Sequence, residues 1–169
     1  MNSVLASWNN SSAEDALDAM LACCGARRWA AAMVAARPIA RVQELSSAAD
    51  RIWSTMEEAD WLQAFACHPR IGERTAVHAS KKSAAWSSQE QSSASSAAVR
   101  VLAELADRNV EYEQSFGFTY IVCATGKSAE EMLAILNRRL QSDRAAELRE
   151  AAEQQRQITQ IRLGKWLVE

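Results

Sequence analysis

Residues 41–57 read RVQELSSAADRIWSTME. Val42, Leu45, Ala49, Ile52, Trp53 and Met56 recur at steps of three and four, the period of a helix that buries one face. Working outward, the same spacing runs through residues 11–24, 26–36, 129–140 and about 143–167. A shorter helix is predicted from Asp60 to Cys67, with Trp61, Leu62 and Phe65 on its apolar side. A long helix over about 88–108 and a short helical turn over 109–115 are predicted next. Arg37-Pro38 closes the second helix, because the residue before a proline avoids the α region. Only five glycines and two prolines interrupt 169 residues, which favours long helices. One stretch departs from the pattern: FGFTYIVCATG, residues 116–126, is rich in the aromatic and β-branched residues that suit extended backbone. The expected fold is all-α: a single domain over residues 1–169, a bundle of about eight helices with one short extended segment near 116–124.

Composition narrows the function. With 49% apolar residues, a chain of this length can build a sizeable core. The net charge is −2 and no block of like charge occurs, which argues against a nucleic-acid-binding face. No apolar run approaches the roughly 20 residues of a membrane span, and MNSVLASWNN lacks the pattern of a signal peptide. The four cysteines form no CxxC pair and only two histidines are present, so no zinc site is expected. Reduced thiols in a cytoplasmic protein are the expectation.

Three residues stand in unusual places. FACHPRIGE, residues 65–73, ends a helix on His68 and follows it with Pro69. That puts the imidazole near the carbonyl end of a short helix, where a cation is favoured. Such a histidine titrates near neutral pH and can act as acid or base; a capping or core histidine is the bland alternative. Glu90 lies in WSSQEQ, where Ser87-x-x-Glu90 fits a helix-opening capping box. Yet Glu90 shares a stripe with Ala94, Ala97 and Val101, and a carboxylate there faces a pocket or a partner. Arg162 interrupts the face formed by Ile158 and Trp166. A guanidinium among apolar residues either closes an internal salt bridge, with Glu90 as one option, or grips a carboxylate with its two-pronged fork.

Other features are weaker. The polar stretch from Pro69 to Trp86 reads as a long loop, and such loops are often functional. ATGKS, residues 124–128, resembles the end of a phosphate loop but has Ile121 where that loop needs glycine. Ser128-x-x-Glu131 is better read as a capping box. Cys67 next to His68 suggests a nucleophile–base pair acting on an amide or ureido bond, but sequence neighbours seldom point at each other. Cys123, in an apolar run, reads as a buried thiol. A non-catalytic helical interaction module is the remaining alternative.

Taken together and in order, CHPRIGE, WSSQEQ, NVEYEQSFGFTYIVCATGKSAEEMLAILNRRL and AAEQQRQITQIRLGKW resemble the 2-oxo-4-hydroxy-4-carboxy-5-ureidoimidazoline (OHCU) decarboxylase family. The likeness covers nearly the whole chain and is strongest from Trp61 to Trp166. It implies an all-helical, cofactor-free carboxy-lyase, commonly a homodimer, that performs the third step from urate to S-allantoin. It implies His68 as the general acid or base, Glu90 orienting it, and Arg162 holding the anion. Substrate contacts are implied at Pro69, at Ser87, Ser88, Gln89 and Gln91, and along Tyr120, Ile121, Val122, Cys123 and Ala124. Cys67 stands where the family more often has alanine, and Tyr120 where phenylalanine is common.

Overall fold

A computed structural model describes residues 2–71, 81–91 and 99–169. Among these residues there are nine helices and no strand. They fall into two compact units, Met1–Ala64 with Arg156–Glu169, and Phe65–Gln155. No helix among the described residues is long and apolar enough to cross a membrane.

The first unit holds α1 (Ser3–Asn10), α2 (Ala13–Cys23), α3 (Arg27–Ala35), α4 (Val42–Trp53), nearly all of α5 (Glu58–Phe65) and the last part of α9 (Arg144–Trp166). Helix α1 was not anticipated from sequence. Its start is set by Asn2, whose side-chain oxygen accepts from the Leu5 amide at 3.0 Å. Helix α4 stops four residues short of the expected Glu57. The Ser54 and Thr55 hydroxyls turn back onto the carbonyls of Arg51 (2.7 Å) and Ile52 (2.8 Å), which favours a turn over another helical residue. Met56 is buried all the same. Helix α5 begins two residues before Asp60, because Asp60 caps from inside the first turn, accepting from the Glu57 amide at 3.0 Å.

Tryptophans anchor this unit. Trp29 is wholly buried and donates to the Ala49 carbonyl at 3.1 Å; Trp8 donates to Ala16 at 3.0 Å and meets Trp166 edge-on at 6.0 Å. The indole N–H groups of Trp29 and Trp8 thus keep partners while their rings fill the core. Helix α4 is tied to the end of α9 through Asp50, which accepts from Arg156 at 3.1 Å and from Gln160 at 2.8 Å.

The second unit holds α6 (Lys81–Glu90), α7 (Val99–Phe116), α8 (Ala129–Arg139) and the first part of α9. Two corrections to the sequence reading arise here. Residues 81–86, expected to be loop, are the first turns of α6. The break expected near residue 109 is absent: α7 is continuous through Asn109, which is fully buried and donates to the Leu105 carbonyl one turn back at 2.8 Å. Residues 72–80 of the expected loop, and the serine-rich 92–96, lie outside the described residues.

Gly117, at φ +81°, ends α7 with its amide on the Glu113 carbonyl at 2.8 Å. The segment after it, through Ala124, is neither helix nor strand and is buried almost throughout. Buried backbone without a sheet partner must find its hydrogen bonds elsewhere, and here side chains supply them. Arg139 donates to the Ile121 carbonyl at 2.6 Å, Gln154 accepts from the Cys123 amide at 2.9 Å, and Lys127 donates to the Cys123 carbonyl at 2.7 Å. Arg139 also pairs with Glu147, which in turn accepts from the Tyr112 hydroxyl; Arg139 is 4% exposed and Glu147 1%. The guanidinium lies over the Tyr120 ring at 4.9 Å. Phe65, Tyr112, Phe116, Phe118 and Tyr120 form one aromatic cluster with ring separations from 4.7 Å upward. Helix α8 opens on the expected box: the Glu131 amide donates to Ser128 Oγ at 3.1 Å and the Ser128 amide to Glu131 Oε2 at 2.8 Å.

Candidate active site

His68 sits in the turn after α5, its amide donating to the Phe65 carbonyl at 3.0 Å. Its placement at the carbonyl end of a short helix is the one expected from sequence. Pro69 behind it is buried, and Arg70 beyond forks onto Glu113 of α7 at 2.8 and 2.6 Å. The histidine backbone is therefore pinned on both sides. Its ring is half-buried, and Nε2 lies 2.7 Å from Gln155 Oε1 on α9. Cys67 is half-buried.

Glu90 ends α6 and is 8% exposed. The capping-box reading of Ser87 and Glu90 is overturned, because α6 begins six residues before Ser87 and both residues lie in its last turns. The buried face of α6 is Ser83, Trp86, Ser87 and Glu90. A helix that buries two serines and a glutamate and turns its lysines outward is built for something polar. The run implied as substrate-binding divides accordingly. Ser87 and Glu90 face inward, Ser88 and Gln89 are exposed on the opposite face, and Gln91 is half-buried in the following turn. Of the stripe proposed for Glu90, Ala94 and Ala97 lie outside the described residues.

Along 120–124 every residue is buried. The Tyr120 hydroxyl is committed to the Met132 carbonyl at 3.1 Å, and burial pushes its phenol well above the usual tyrosine range. The Ile121 carbonyl and both backbone groups of Cys123 are engaged by Arg139, Gln154 and Lys127.

Arg162 belongs to the first unit and is 2% exposed. It lies on the buried face of α9 with Ile158, Thr159, Leu163 and Trp166, as its spacing predicted. A surface hollow of about 470 Å³ in this unit is lined by residues of the α3–α4 connection and α4, including Pro38, Arg41 and Arg51, and contains none of the candidate residues.

Sequence reasoning missed Gln154, Gln155, Arg139 and Glu147. Gln155 carried a signal of the same kind as Arg162: it is one heptad before it, a polar residue on a face otherwise occupied by Ala151, Ala152 and Ile158.

The family model for OHCU decarboxylase matches residues 9–164. The chain is 35% identical over 144 residues to the uric acid degradation bifunctional protein TTL of Arabidopsis thaliana, covering 85% of this chain and 44% of that protein. It is 28% identical over 129 residues to the 2-oxo-4-hydroxy-4-carboxy-5-ureidoimidazoline decarboxylase of Haloferax volcanii, covering 76% of this chain and 74% of that one. A crystal structure of OHCU decarboxylase in the presence of (S)-allantoin matches with a TM-score of 0.78 and 32% identity, over 94% of this chain and 100% of that chain. The chain thus spans less than half of the Arabidopsis protein but the whole of a solved decarboxylase. With an all-helical fold, a histidine pinned between a helix end and a buried proline, and a match over nearly its full length, the chain belongs to the OHCU decarboxylase family.

Proposed function

We propose that the protein decarboxylates 2-oxo-4-hydroxy-4-carboxy-5-ureidoimidazoline to S-allantoin without a cofactor, with His68 as general acid and base, Glu90 orienting it and Arg162 holding the anion. The observation that carries this reading is the pinned, half-buried imidazole of His68 in a chain of this family. The substrate is a small, flat anion rich in hydrogen-bonding groups. Its C–C bond to the carboxylate breaks, carbon dioxide leaves, and the electron pair stays on the ring carbon, spread over its conjugated neighbours. The hydroxyl on that carbon gives up its proton as it becomes the carbonyl, and a proton must reach the adjacent, ureido-bearing carbon from one face. A fixed cation such as Arg162 favours the developing charge, and a positioned acid–base group is typically worth about 10²–10⁴ in rate. The inward-facing Ser87, with Gln91, Pro69 and the backbone of 120–124, is assigned to the ureido and ring amides; Ser88 and Gln89, being exposed, are assigned through their backbone. A homodimer in the cytoplasm completes the reading, and light scattering on the purified protein tests its dimeric part.

The test is to supply freshly made OHCU and follow circular dichroism as allantoin forms. The protein is expected to speed substrate loss and to give product of one hand. His68→Asn is expected to remove the one-handed signal while leaving the helical spectrum intact, and Arg162→Lys to raise KM, because a point charge replaces a fork. A wild-type protein that changes neither the rate nor the optical activity overturns the proposal.

A further inference from the structure

Resting on that functional reading, the geometry points to Gln155 as a positioning residue that holds the proton on Nε2 of His68 and so fixes the tautomer of the ring. Gln155 is fully buried, at 0% exposure, and its Oε1 lies 2.7 Å from His68 Nε2. An amide oxygen only accepts hydrogen bonds, so the ring nitrogen facing it must carry a proton. A neutral imidazole held this way has its lone pair on Nδ1; a protonated one offers its second N–H there. Nε2 is committed to a fully buried side chain.

The neighbouring residue supports a deliberate arrangement. Gln154 accepts from the Cys123 amide at 2.9 Å and is steadied by Glu150 at 3.0 Å. Two consecutive glutamines of α9 thus fix two distant pieces of the chain, the histidine turn and the 120–124 segment. With His68 pinned at its backbone by Phe65 and by the Arg70–Glu113 fork, Gln155 fixes which ring nitrogen carries the proton.

The test has a spectroscopic arm and a kinetic arm. Long-range ¹H–¹⁵N spectra of the labelled protein, with the His68→Asn variant assigning one of only two histidines, read the tautomer directly. The Nε2–H form is expected for neutral His68, and Gln155→Leu is expected to lose that fixed preference. In turnover, Gln155→Leu is expected to lower kcat by about 10- to 100-fold with KM little changed, the scale of a misplaced catalytic group. Gln155→Glu keeps an acceptor in place and adds negative charge, so the histidine limb of the pH profile is expected to move to higher pH. If the glutamine only fills space, Gln155→Leu leaves the tautomer preference of His68 as it is. An Nδ1–H tautomer in the wild type overturns the proposal, as does an unshifted limb in a folded Gln155→Glu. The tautomer is read without substrate: an Nε2–H histidine in a protein that does not turn over OHCU overturns the functional reading and not this one.

Discussion

Arg139 and Glu147 show what single residues do in this molecule. Both are charged, both are almost wholly buried, and each holds a different piece: Glu147 takes the Tyr112 hydroxyl, Arg139 the Ile121 carbonyl. Removing one member of a buried pair strands the other's charge, at a cost of about 3–5 kcal/mol, whereas replacing both with apolar residues is often close to neutral. Arg139→Met is therefore expected to lower the unfolding free energy from urea titration by that margin, and Arg139→Met with Glu147→Leu to recover much of it. Activity should not recover in the double variant, since the Ile121 carbonyl still lacks its donor. Little of this was legible in the sequence. A glutamate in the first turn of a helix and an arginine in the last turn of another look like ordinary partners of the helix dipole. Only the fold shows that they meet. His68 and Arg162 were legible because each breaks a local pattern, one a helix and the other an apolar stripe. Gln155 broke the same stripe more quietly, being uncharged.

At the scale of elements, helices with an apolar face were read from spacing alone: α2, α3, α4, α8 and α9 stand within a few residues of their expected bounds. The failures share a cause. Helix α6 buries Ser83, Ser87 and Glu90, so its pattern carries no apolar period to detect. Helix α7 was cut at Asn109, a poor helix former by propensity, which tertiary burial overrides. The extended segment was legible as composition, but not its means of support. Helix α8 offers a clean test of local coding. Ser128→Ala removes the acceptor for the Glu131 amide and is expected to cost about 1 kcal/mol in urea denaturation. The same variant should loosen hydrogen-exchange protection at the first turn of that helix, where the Glu131 amide loses its acceptor.

At the scale of the whole molecule, the tyrosines govern behaviour in alkali. The chain has two, Tyr112 and Tyr120, and both are buried with phenols pushed up chiefly by burial. The folded state therefore holds their protons at a pH where the unfolded chain, with tyrosines near a pKa of about 10, releases them. Their contribution to stability is complete below that value and is lost as pH rises above it. Phenolate absorbance is expected to stay flat past pH ~10 and then to rise together with the loss of helical signal. A tyrosine titrating normally in the folded protein would contradict the burial described. The all-α class and the family were legible from sequence, because helical period and ordered motifs survive without knowledge of contacts.

The distribution of rings between the two units has a practical consequence. Both tyrosines and all three phenylalanines lie within Phe65–Gln155, together with Trp86; the other five tryptophans, Trp8, Trp29, Trp53, Trp61 and Trp166, lie in the remainder. Nature has in effect dyed the halves with different chromophores. With Trp86 replaced by phenylalanine, indole emission follows one and phenol absorbance the other, so one sample, melted once and watched at two wavelengths, reports the unfolding of each half by its own dye.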